Sequence, residues 1–326
     1  MVFELNLDSN ILDNKTSLDE NKIYDILIVG AGPAGLNSAL YGKRNGLDVG
    51  LIAKQIGGQV MDTSSVDNYL GYDSMSGESL TKVFKDHVTS YDIPIKIEYN
   101  LEKIEKKDNL FYHYLSDGSV FKSKTFIIAT GSKPRKLNVS GEDDYVGKGV
   151  AYCAICDGPL YKDKVVAVVG GGNAAVEAAL DLSKIAKKVV IIQRSEIKAE
   201  QILIDKLYAK ENVTLMLDSQ VKEIYGDTLV KGLKLYNTKK TKQLDLKVDG
   251  VFVQIGSIPN SDPFKSIVKT LRTGEIEIDS FCNTSEKGVF AAGDVTNVPY
   301  KQISIASGEG AKAALSASAY INKLDK

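Results

Sequence analysis

The feature that most constrains the fold is a short apolar run followed by a glycine-rich turn, and it occurs twice. The first copy runs from residues 24–29 into Gly30-Ala31-Gly32-Pro33-Ala34-Gly35, and the second from residues 165–169 into Gly170-Gly171-Gly172-Asn173-Ala174-Ala175. Continuous apolar runs ended by glycine are typical of buried parallel strands. A helix is predicted after each turn, the first from Pro33 to about Asn45. Each copy therefore predicts a Rossmann-like unit, whose helix N-terminus binds a pyrophosphate.

Two further apolar runs indicate how these units are connected. Residues 126–129 end at Thr130-Gly131, and residues 288–292 end at Gly293-Asp294. Both runs are typical of nucleotide-domain strands and they flank the second unit. We therefore predict an α/β fold of two Rossmann-like (three-layer) domains, the second inserted into the first. The predicted bounds are a tail over residues 1–23, a first domain over 24–134 and 259–326, and an inserted domain over 135–258.

Composition excludes several classes of function. The 41 basic residues nearly balance the 42 acidic residues, so no strong field favours nucleic acid or an anionic membrane surface. No apolar run approaches the roughly 18 to 20 residues that a membrane span needs. Residues 1–22 also lack the pattern of a secretory signal. We therefore expect a cytoplasmic protein without nucleic-acid or membrane partners.

The three cysteines are too few for a disulfide framework, and two of them form Cys153-Ala154-Ile155-Cys156. Zinc is not expected, because a site needs about four ligands and only Cys282, His87 and His113 remain, without ligand spacing. A C-x-x-C pair closes a small disulfide loop and commonly lowers the pKa of one thiol. The motif therefore predicts a redox-active pair, whereas Cys282 is predicted to be a packed thiol.

Asp157, which directly follows the pair, is a candidate acid that exchanges a proton with a leaving thiolate. A plain turn or capping residue is the alternative for an Asp before Gly. His87 lies in a helix-like segment and His113 in the strand-like residues 111–115, so both histidines are predicted to be structural.

In a Rossmann-like unit, the residues after the second strand contact the ribose of the bound nucleotide. In the first unit, residues 48–53 end in Ala53-Lys54 without the usual acid, which leaves the ribose contact open. In the second, residues 189–192 end at Gln193-Arg194-Ser195, with Lys198 nearby. Arg194 and Lys198 favour the 2'-phosphate of NADPH, but a solvated strand end is an equal alternative. Both NADPH and NADH therefore stay open.

With these motifs the chain resembles the low-molecular-weight thioredoxin reductase family, including the reductase part of the alkyl hydroperoxide reductase flavoprotein. The resemblance runs from about Asp25 to about Tyr320. Beyond the two glycine turns, its elements are Gly57-Gly58-Gln59, Asp67-Asn68-Tyr69, Ala129-Thr130-Gly131, residues 153–158, Ala292-Gly293-Asp294, Pro299-Tyr300-Lys301-Gln302 and Gly308-Glu309-Gly310.

The resemblance implies FAD in the first domain, a nicotinamide nucleotide in the second, and a homodimer. It implies that Cys156 receives electrons from the flavin, that Cys153 attacks the partner's disulfide, and that Asp157 is the acid. The candidate FAD-binding residues are Gly30, Gly32, Pro33, Ala34, Gly35, Gly58, Gln59, Asn68, Thr130, Gly131, Gly293, Asp294, Lys301, Gln302 and Ile303. The candidate nicotinamide-nucleotide residues are Gly170, Gly172, Asn173, Ala174, Ala175, Arg194 and Lys198.

We therefore predict an FAD-dependent thioredoxin-disulfide reductase that takes electrons from NADPH or NADH and delivers them to a thioredoxin- or glutaredoxin-like protein. Residues 193–198 keep only part of the family's basic motif, so a reductase fed by ferredoxin is an alternative, although the intact second turn argues against it. A ferredoxin-NADP reductase has no need of the cysteine pair. A flavin-bound redox sensor without turnover leaves that pair unexplained.

Overall fold

The computed structural model describes residues 17–63, 66–98 and 100–324. These residues form two compact units, of which the second comprises Pro134–Ile258 and the first comprises the chain on either side of it. In chain order the strands and helices are β1 (Ile23–Ala31), α1 (Pro33–Arg44), β2 (Val49–Ile56), α2 (Gly77–Thr89), β3 (Ile95–Ile97), β4 (Leu101–Lys107), β5 (Leu110–Leu115), β6 (Val120–Ile128), β7 (Ser132–Pro134), β8 (Val150–Ala151), α3 (Ala154–Asp157), β9 (Val165–Val169), α4 (Asn173–Leu182), β10 (Lys188–Ile192), α5 (Gln201–Tyr208), β11 (Val213–Met216), β12 (Ser219–Gly226), β13 (Val230–Asn237), β14 (Lys242–Lys247), β15 (Gly250–Val253), β16 (Ser257–Pro259), β17 (Val289–Ala291) and α6 (Ile303–Leu324).

The first unit is built on a sheet with the strand order β3-β2-β1-β6-β5-β4, in which β17 also pairs with β6. Strands β1, β2, β3, β6 and β17 run parallel, and β4 and β5 form an antiparallel hairpin beside β6. Both faces of β1 are buried. Ile26 and Ile28 pack with α1 and α6, whereas Leu27 and Val29 pack with Phe264 and other residues on the opposite face. This two-sided burial explains the continuous apolar run.

The second unit has a parallel sheet with the order β11-β10-β9-β15-β8. Val166 and Val168 pack against the face that α4 covers, and Ala167 and Val169 pack against the antiparallel sheet β12-β13-β14. The predicted α/β class with two Rossmann-like, three-layer units is therefore confirmed. The antiparallel layer of this unit was not predicted.

Two predicted bounds differ from the structure. Residues 1–16 of the predicted tail lie outside the described residues, but the prediction is wrong at Leu18, which is only 9% exposed. Leu18 fills the space above Gly50, where a Cβ would lie 2.4 Å from its Cδ2 atom. Strand β2 also continues past its predicted end at Ala53, because Ile56 pairs with Ala31 beyond a register shift.

No helix within the described ranges combines the length and the apolarity that a bilayer span requires.

Candidate functional site

The turn between β1 and α1 has no room for side chains at two of its glycines. Gly30 has a φ of +111°, and a Cβ there would lie 2.2 Å from the carbonyl oxygen of Ala129. A Cβ on Gly35 would lie 1.8 Å from the carbonyl oxygen of Gly30. Both contacts are with backbone, which cannot move aside cheaply, so the turn requires glycine at both positions.

The N-terminus of α1 fits an anionic group. Gly32 is the N-cap and Pro33 follows it, and among the described residues no side chain caps this end and no acid lies in the first turn. The first amide groups of a helix have no intrahelical acceptor and carry the positive end of its dipole. A pyrophosphate such as that of FAD therefore fits this end.

Polar candidate residues from distant segments meet near this turn. The Nε2 atom of Gln59 lies 3.3 Å from Oδ2 of Asp294, and Nδ2 of Asn68 lies 3.2 Å from Oε1 of Gln302. Gly58 belongs to the same group, because a Cβ there would lie 3.5 Å from the Cα atom of Gly32. The structure thus brings together residues about 235 positions apart in sequence.

Asp294 and Lys301 are charged groups in a partly desolvated environment. Burial raises the pKa of Asp294, which the amide of Gln59 and the charge of Lys301 oppose. Burial lowers the pKa of Lys301, whose Nζ donates to the carbonyl oxygen of Thr296 at 2.5 Å. Ile303, the first residue of α6, packs against a small core of Val60, Val66 and Leu80.

Thr130 and Gly131 are held by a residue that the sequence analysis missed. The hydroxyl of Thr130 donates to the carbonyl oxygen of Asn260 at 2.8 Å, and Nδ2 of Asn260 donates back to the carbonyl oxygen of Thr130 at 2.9 Å. The backbone N–H of Asn260 also donates to Gly131, which has a φ of +66°. No local pattern marks Asn260, because its partners lie 130 positions away.

Ala34 lies at a close approach between α1 and α6. A Cβ on Gly310 would lie 2.0 Å from the carbonyl oxygen of Ala34, and a Cβ on Gly293 would lie 3.0 Å from the Cβ atom of Ala34. The single hydroxyl hydrogen of Ser38 is shared between the carbonyl oxygens of Ala34, at 2.8 Å, and Gly310, at 2.9 Å. The small residues Ala34, Gly293 and Gly310 therefore allow α1 and α6 to pack closely beside the first glycine turn.

The second turn, between β9 and α4, is tight at only one end. Gly170 has a φ of +143°, and a Cβ there would lie 2.2 Å from the carbonyl oxygen of Gln254. By contrast, a Cβ on Gly172 would meet nothing within 4 Å among the described residues. Asn173 and Ala174 are exposed, and Ala175 is buried where Gly35 stands in the first turn. Within the described chain α4 has no side-chain cap and no acid in its first turn, so it too fits an anion.

The segment after β10 folds back over this turn. The backbone N–H of Lys198 donates to the carbonyl oxygen of Gly171 at 2.6 Å, and Asn173 and Glu200 exchange two hydrogen bonds of 2.9 Å. Arg194 and Lys198 are both exposed, and so are the acids Glu196 and Glu200. The predicted basic residues thus share this surface with two acids.

Cys153 and Cys156 form a disulfide whose Cα atoms are 5.3 Å apart. Cys153 is the N-cap of the short helix α3, and its Sγ atom accepts a hydrogen bond of 3.2 Å from the backbone N–H of Cys156. Burial raises the pKa of the neighbouring Asp157 to about 6. Ile155 is 56% exposed and Leu160 is 53% exposed, so apolar surface flanks the pair.

The disulfide and the second turn lie at the same edge of the second sheet. The disulfide follows β8 and the turn follows β9, and β15 lies between these parallel strands. The carboxyl edge of a parallel sheet is where ligands bind in open α/β folds.

The remaining candidates lie away from these two turns. His113 is fully buried, its Nε2 atom lies 2.9 Å from the hydroxyl of Ser123, and burial lowers its pKa to about 3. His87 lies in α2. Cys282 is buried and free, and burial raises the pKa of its thiol to about 12. It is a packed thiol, as predicted.

Comparisons with known proteins agree with this geometry. The sequence model of the family described as pyridine nucleotide-disulphide oxidoreductase matches residues 24–310. The chain belongs to this family. Its structure matches thioredoxin reductase from Streptococcus pyogenes MGAS5005 with a TM-score of 0.88 and 37% identity, covering 93% of this chain and 99% of that one. Thioredoxin reductase from Giardia duodenalis matches with a TM-score of 0.86 and 30% identity, covering 92% and 99%.

Two curated relatives of this oxidoreductase are longer than the chain. An alkyl hydroperoxide reductase subunit of Escherichia coli (strain K12) is 44% identical over 93% of this chain and 59% of its own length. NADH dehydrogenase of Bacillus subtilis (strain 168) is 43% identical over 91% of this chain and 58% of its own length. The predicted family resemblance is therefore confirmed. The chain spans less than two thirds of either relative's length, and its family and the thioredoxin reductase structures imply binding of FAD and NAD(P)H.

Proposed function

We propose that this oxidoreductase passes electrons from a reduced nicotinamide nucleotide, by way of FAD, to the Cys153–Cys156 disulfide and then to a disulfide of a thioredoxin- or glutaredoxin-like protein. The observation that carries the proposal is the disulfide itself, which is followed directly in sequence by Asp157, a carboxyl group of raised pKa, and lies in a segment with the exposed apolar side chains Ile155 and Leu160. A protein acceptor suits this arrangement, because the exposed Ile155 and Leu160 offer apolar surface for docking.

We assign FAD to the first unit. The amide groups at the start of α1 would hold its pyrophosphate, and Gly30 and Gly35 keep the backbone close to it. The other residues assigned to FAD are Gly32, Pro33, Ala34, Gly58, Gln59, Asn68, Thr130, Gly131, Gly293, Asp294, Lys301, Gln302 and Ile303. When bound, FAD supplies two-electron exchange between a nicotinamide and a disulfide.

We assign the nicotinamide nucleotide to the second unit, and NADH rather than NADPH. The amide groups at the start of α4 would hold its pyrophosphate, with Gly170 keeping the turn tight. The two exposed acids, Glu196 and Glu200, would repel a 2'-phosphate and offset the attraction of Arg194 and Lys198. The relative named NADH dehydrogenase supports the same choice.

The cysteine pair then performs thiol-disulfide exchange. Two electrons and two protons break the Cys153–Cys156 bond and give two thiols. The backbone N–H of Cys156 favours the thiolate at Cys153, since it already donates to that sulfur. This thiolate attacks the acceptor's disulfide, so that a mixed disulfide forms and one acceptor thiolate leaves. Cys156 then attacks Cys153, which restores the intramolecular bond and releases the second acceptor thiolate.

Asp157 exchanges the protons of these steps. A carboxyl group whose pKa is raised to about 6 is present in both protonation states near neutral pH, which suits it to donate a proton and then to recover it. In our proposal its protonated form delivers a proton to a leaving thiolate.

The test is reduction of a thioredoxin by NADH, measured with Cys153→Ser, Cys156→Ser and the control Cys282→Ala. We expect both serine variants to keep FAD and to lose thioredoxin reduction, because neither can complete the exchange. Cys282→Ala removes a thiol that is buried and free, so turnover should persist. Thioredoxin reduction that survives both serine changes would overturn the proposal.

A further inference from the structure

Glu142 is a buried carboxylate in the segment that leads to the disulfide. It is 2% exposed. Its oxygens accept hydrogen bonds from the backbone N–H groups of Leu137 at 2.9 Å and Asn138 at 2.7 Å. They also accept one from the hydroxyl of Tyr152 at 3.0 Å. Burying a carboxylate costs free energy unless hydrogen-bond donors surround it. The loss of any one of these donors therefore leaves a buried carboxylate oxygen with one hydrogen bond fewer.

The position of Glu142 is fixed by the segment around it. Gly141 has a φ of +81°, and a Cβ there would lie 1.9 Å from the carbonyl oxygen of Ile224. The backbone N–H of Ile224 donates to the carbonyl oxygen of Ser140 at 2.9 Å. The two residues directly before Glu142, Ser140 and Gly141, thus contact the backbone of β12 and fix the position of Glu142.

Tyr152 connects this anchor to the disulfide. It directly precedes Cys153, and its hydroxyl donates to Glu142. Its carbonyl oxygen accepts a hydrogen bond of 2.9 Å from Nε2 of Gln254. Gln254 in turn donates its backbone N–H to Val169 at 2.8 Å, next to the second glycine turn. The side chain and the backbone of Tyr152 are thus both held.

Cys153 needs such support because the strand before it is short. Strand β8 contains only Val150 and Ala151, and α3 contains four residues. A disulfide requires a narrow range of Cα separations and side-chain directions, so small rotations of the backbone before Cys153 change how readily the bond forms.

We propose that Glu142 and Tyr152 are positioning residues for the Cys153–Cys156 pair, with Glu142 acting through the hydroxyl of Tyr152. This inference rests on the proposed function, in that the pair is taken to be redox-active. Loss of the hydroxyl loosens the backbone before Cys153, which favours the dithiol over the disulfide and slows transfer to a protein acceptor.

The test compares Tyr152→Phe with Tyr145→Phe in the FAD-bound protein. Tyr145 is a matched control, because its hydroxyl is also half-buried in the same unit but donates to the carbonyl oxygen of Gly226 at 2.7 Å. Each variant is equilibrated with glutathione redox buffers, and the reduced pair is trapped with iodoacetamide and counted by mass spectrometry. We expect Tyr152→Phe to shift the dithiol-disulfide equilibrium toward the dithiol by about fivefold, which is the change in an equilibrium constant that the loss of one ordinary hydrogen bond produces. We expect Tyr145→Phe to leave this equilibrium unchanged.

A double-mutant cycle with Glu142→Gln identifies the route. If Glu142 acts through Tyr152, the shifts from Glu142→Gln and Tyr152→Phe are not additive. If the Gln variant does not fold, the two tyrosine variants still decide the question. Equal shifts in Tyr152→Phe and Tyr145→Phe would overturn the inference. The glutathione equilibrium needs no protein acceptor, so failure of the wild-type protein to reduce thioredoxin would count against the proposed function alone.

Discussion

The two glycine turns share one pattern but differ in how much protein surrounds them. In the first, a Cβ on Gly30 or Gly35 would strike backbone, and Ala34 is packed beneath α6. In the second turn, Gly170 is the only glycine at which an added Cβ would strike backbone of the described residues. Gly172 and its counterpart Gly32 both have room for a Cβ, but Gly172, Asn173 and Ala174 are exposed, whereas Ala34, the counterpart of Ala174, is buried.

This difference separates two kinds of nucleotide site. A turn enclosed by backbone suits a group that stays bound, because the protein folds around it. An open turn beside exposed polar side chains suits a nucleotide that must enter and leave in every cycle. The comparison therefore supports our assignment of FAD to the first turn and the nicotinamide nucleotide to the second.

The largest expected contrast is between Gly35→Ala and Gly172→Ala. The first puts a Cβ 1.8 Å from the carbonyl oxygen of Gly30, so we expect a loss of stability above about 4 kcal/mol and loss of FAD. The second should cost less than about 1 kcal/mol, the size of an N-cap change, and keep FAD. Its KM for NADH should rise roughly tenfold, or about 1.4 kcal/mol of binding.

Thermal melting, the flavin absorbance of the purified protein and steady-state kinetics measure these three quantities. If Gly172→Ala loses FAD while Gly35→Ala keeps it, the assignment of the two turns is reversed.

The next contrast is between Asp157 and Asp294, two carboxyl groups of the described residues whose pKa values are raised by burial. Asp157→Asn should keep FAD but slow thioredoxin reduction by about a hundredfold, the lower end of the range for general acid-base catalysis. Asp294→Asn changes a residue bonded to Gln59 in the first unit, and it should lose FAD instead. A variant Asp157→Asn with wild-type turnover would remove the proton-transfer role.

Asp157 also makes stability depend on pH. Its pKa is raised from 3.8 to about 6 in the folded protein, so the folded state binds the proton more tightly than the unfolded state. Stability from this group is therefore fully present below pH 3.8 and is lost as the pH rises through about 6. Asp157→Asn should remove this loss of stability at high pH, so the variant should melt at a higher temperature than wild type at about pH 7.5. The difference in melting temperature should be smaller at about pH 4.5. If the melting temperatures of Asp157→Asn and wild type differ equally at the two pH values, the raised pKa of Asp157 is contradicted.

The smallest expected effect is on the choice of nucleotide. Arg194→Ala should raise the KM for NADPH by at most about fivefold, since an exposed ion pair contributes about 1 kcal/mol or less. The KM for NADH should stay the same, because NADH has no 2'-phosphate. Lys54→Ala is the matched control, since Lys54 is an exposed cation on β2 of the first unit. A large rise in the KM for NADH would place Arg194 elsewhere on the nucleotide.

Local patterns allowed much of the fold and of the candidate site to be predicted. The glycine turns and the C-x-x-C motif depend on neighbouring residues, so their spacing is visible in the sequence. The strands before the turns are visible for the same reason, because burial on both faces leaves a continuous apolar run.

The unpredicted features depend on contacts between distant segments. Asn260 meets Thr130 across 130 positions, and Gln254 meets Tyr152 across 102. Glu142 has the residue type of a surface acid, and only the fold shows that donors surround it. Leu18 is flanked in sequence by the polar residues Ser17 and Asp19, so no local pattern indicates its burial, which depends on its contact with Gly50 in β2.

The central claim is that electrons from the nicotinamide reach the Cys153–Cys156 disulfide. The most direct measurement is anaerobic mixing of the protein with NADH and, separately, with NADPH, followed by iodoacetamide trapping and mass spectrometry of the cysteine peptide. We expect the flavin absorbance to fall and both cysteines to become alkylated together. A bleached flavin beside an intact disulfide would contradict the claim, and a flavin bleached by neither NADH nor NADPH would favour a ferredoxin-fed enzyme.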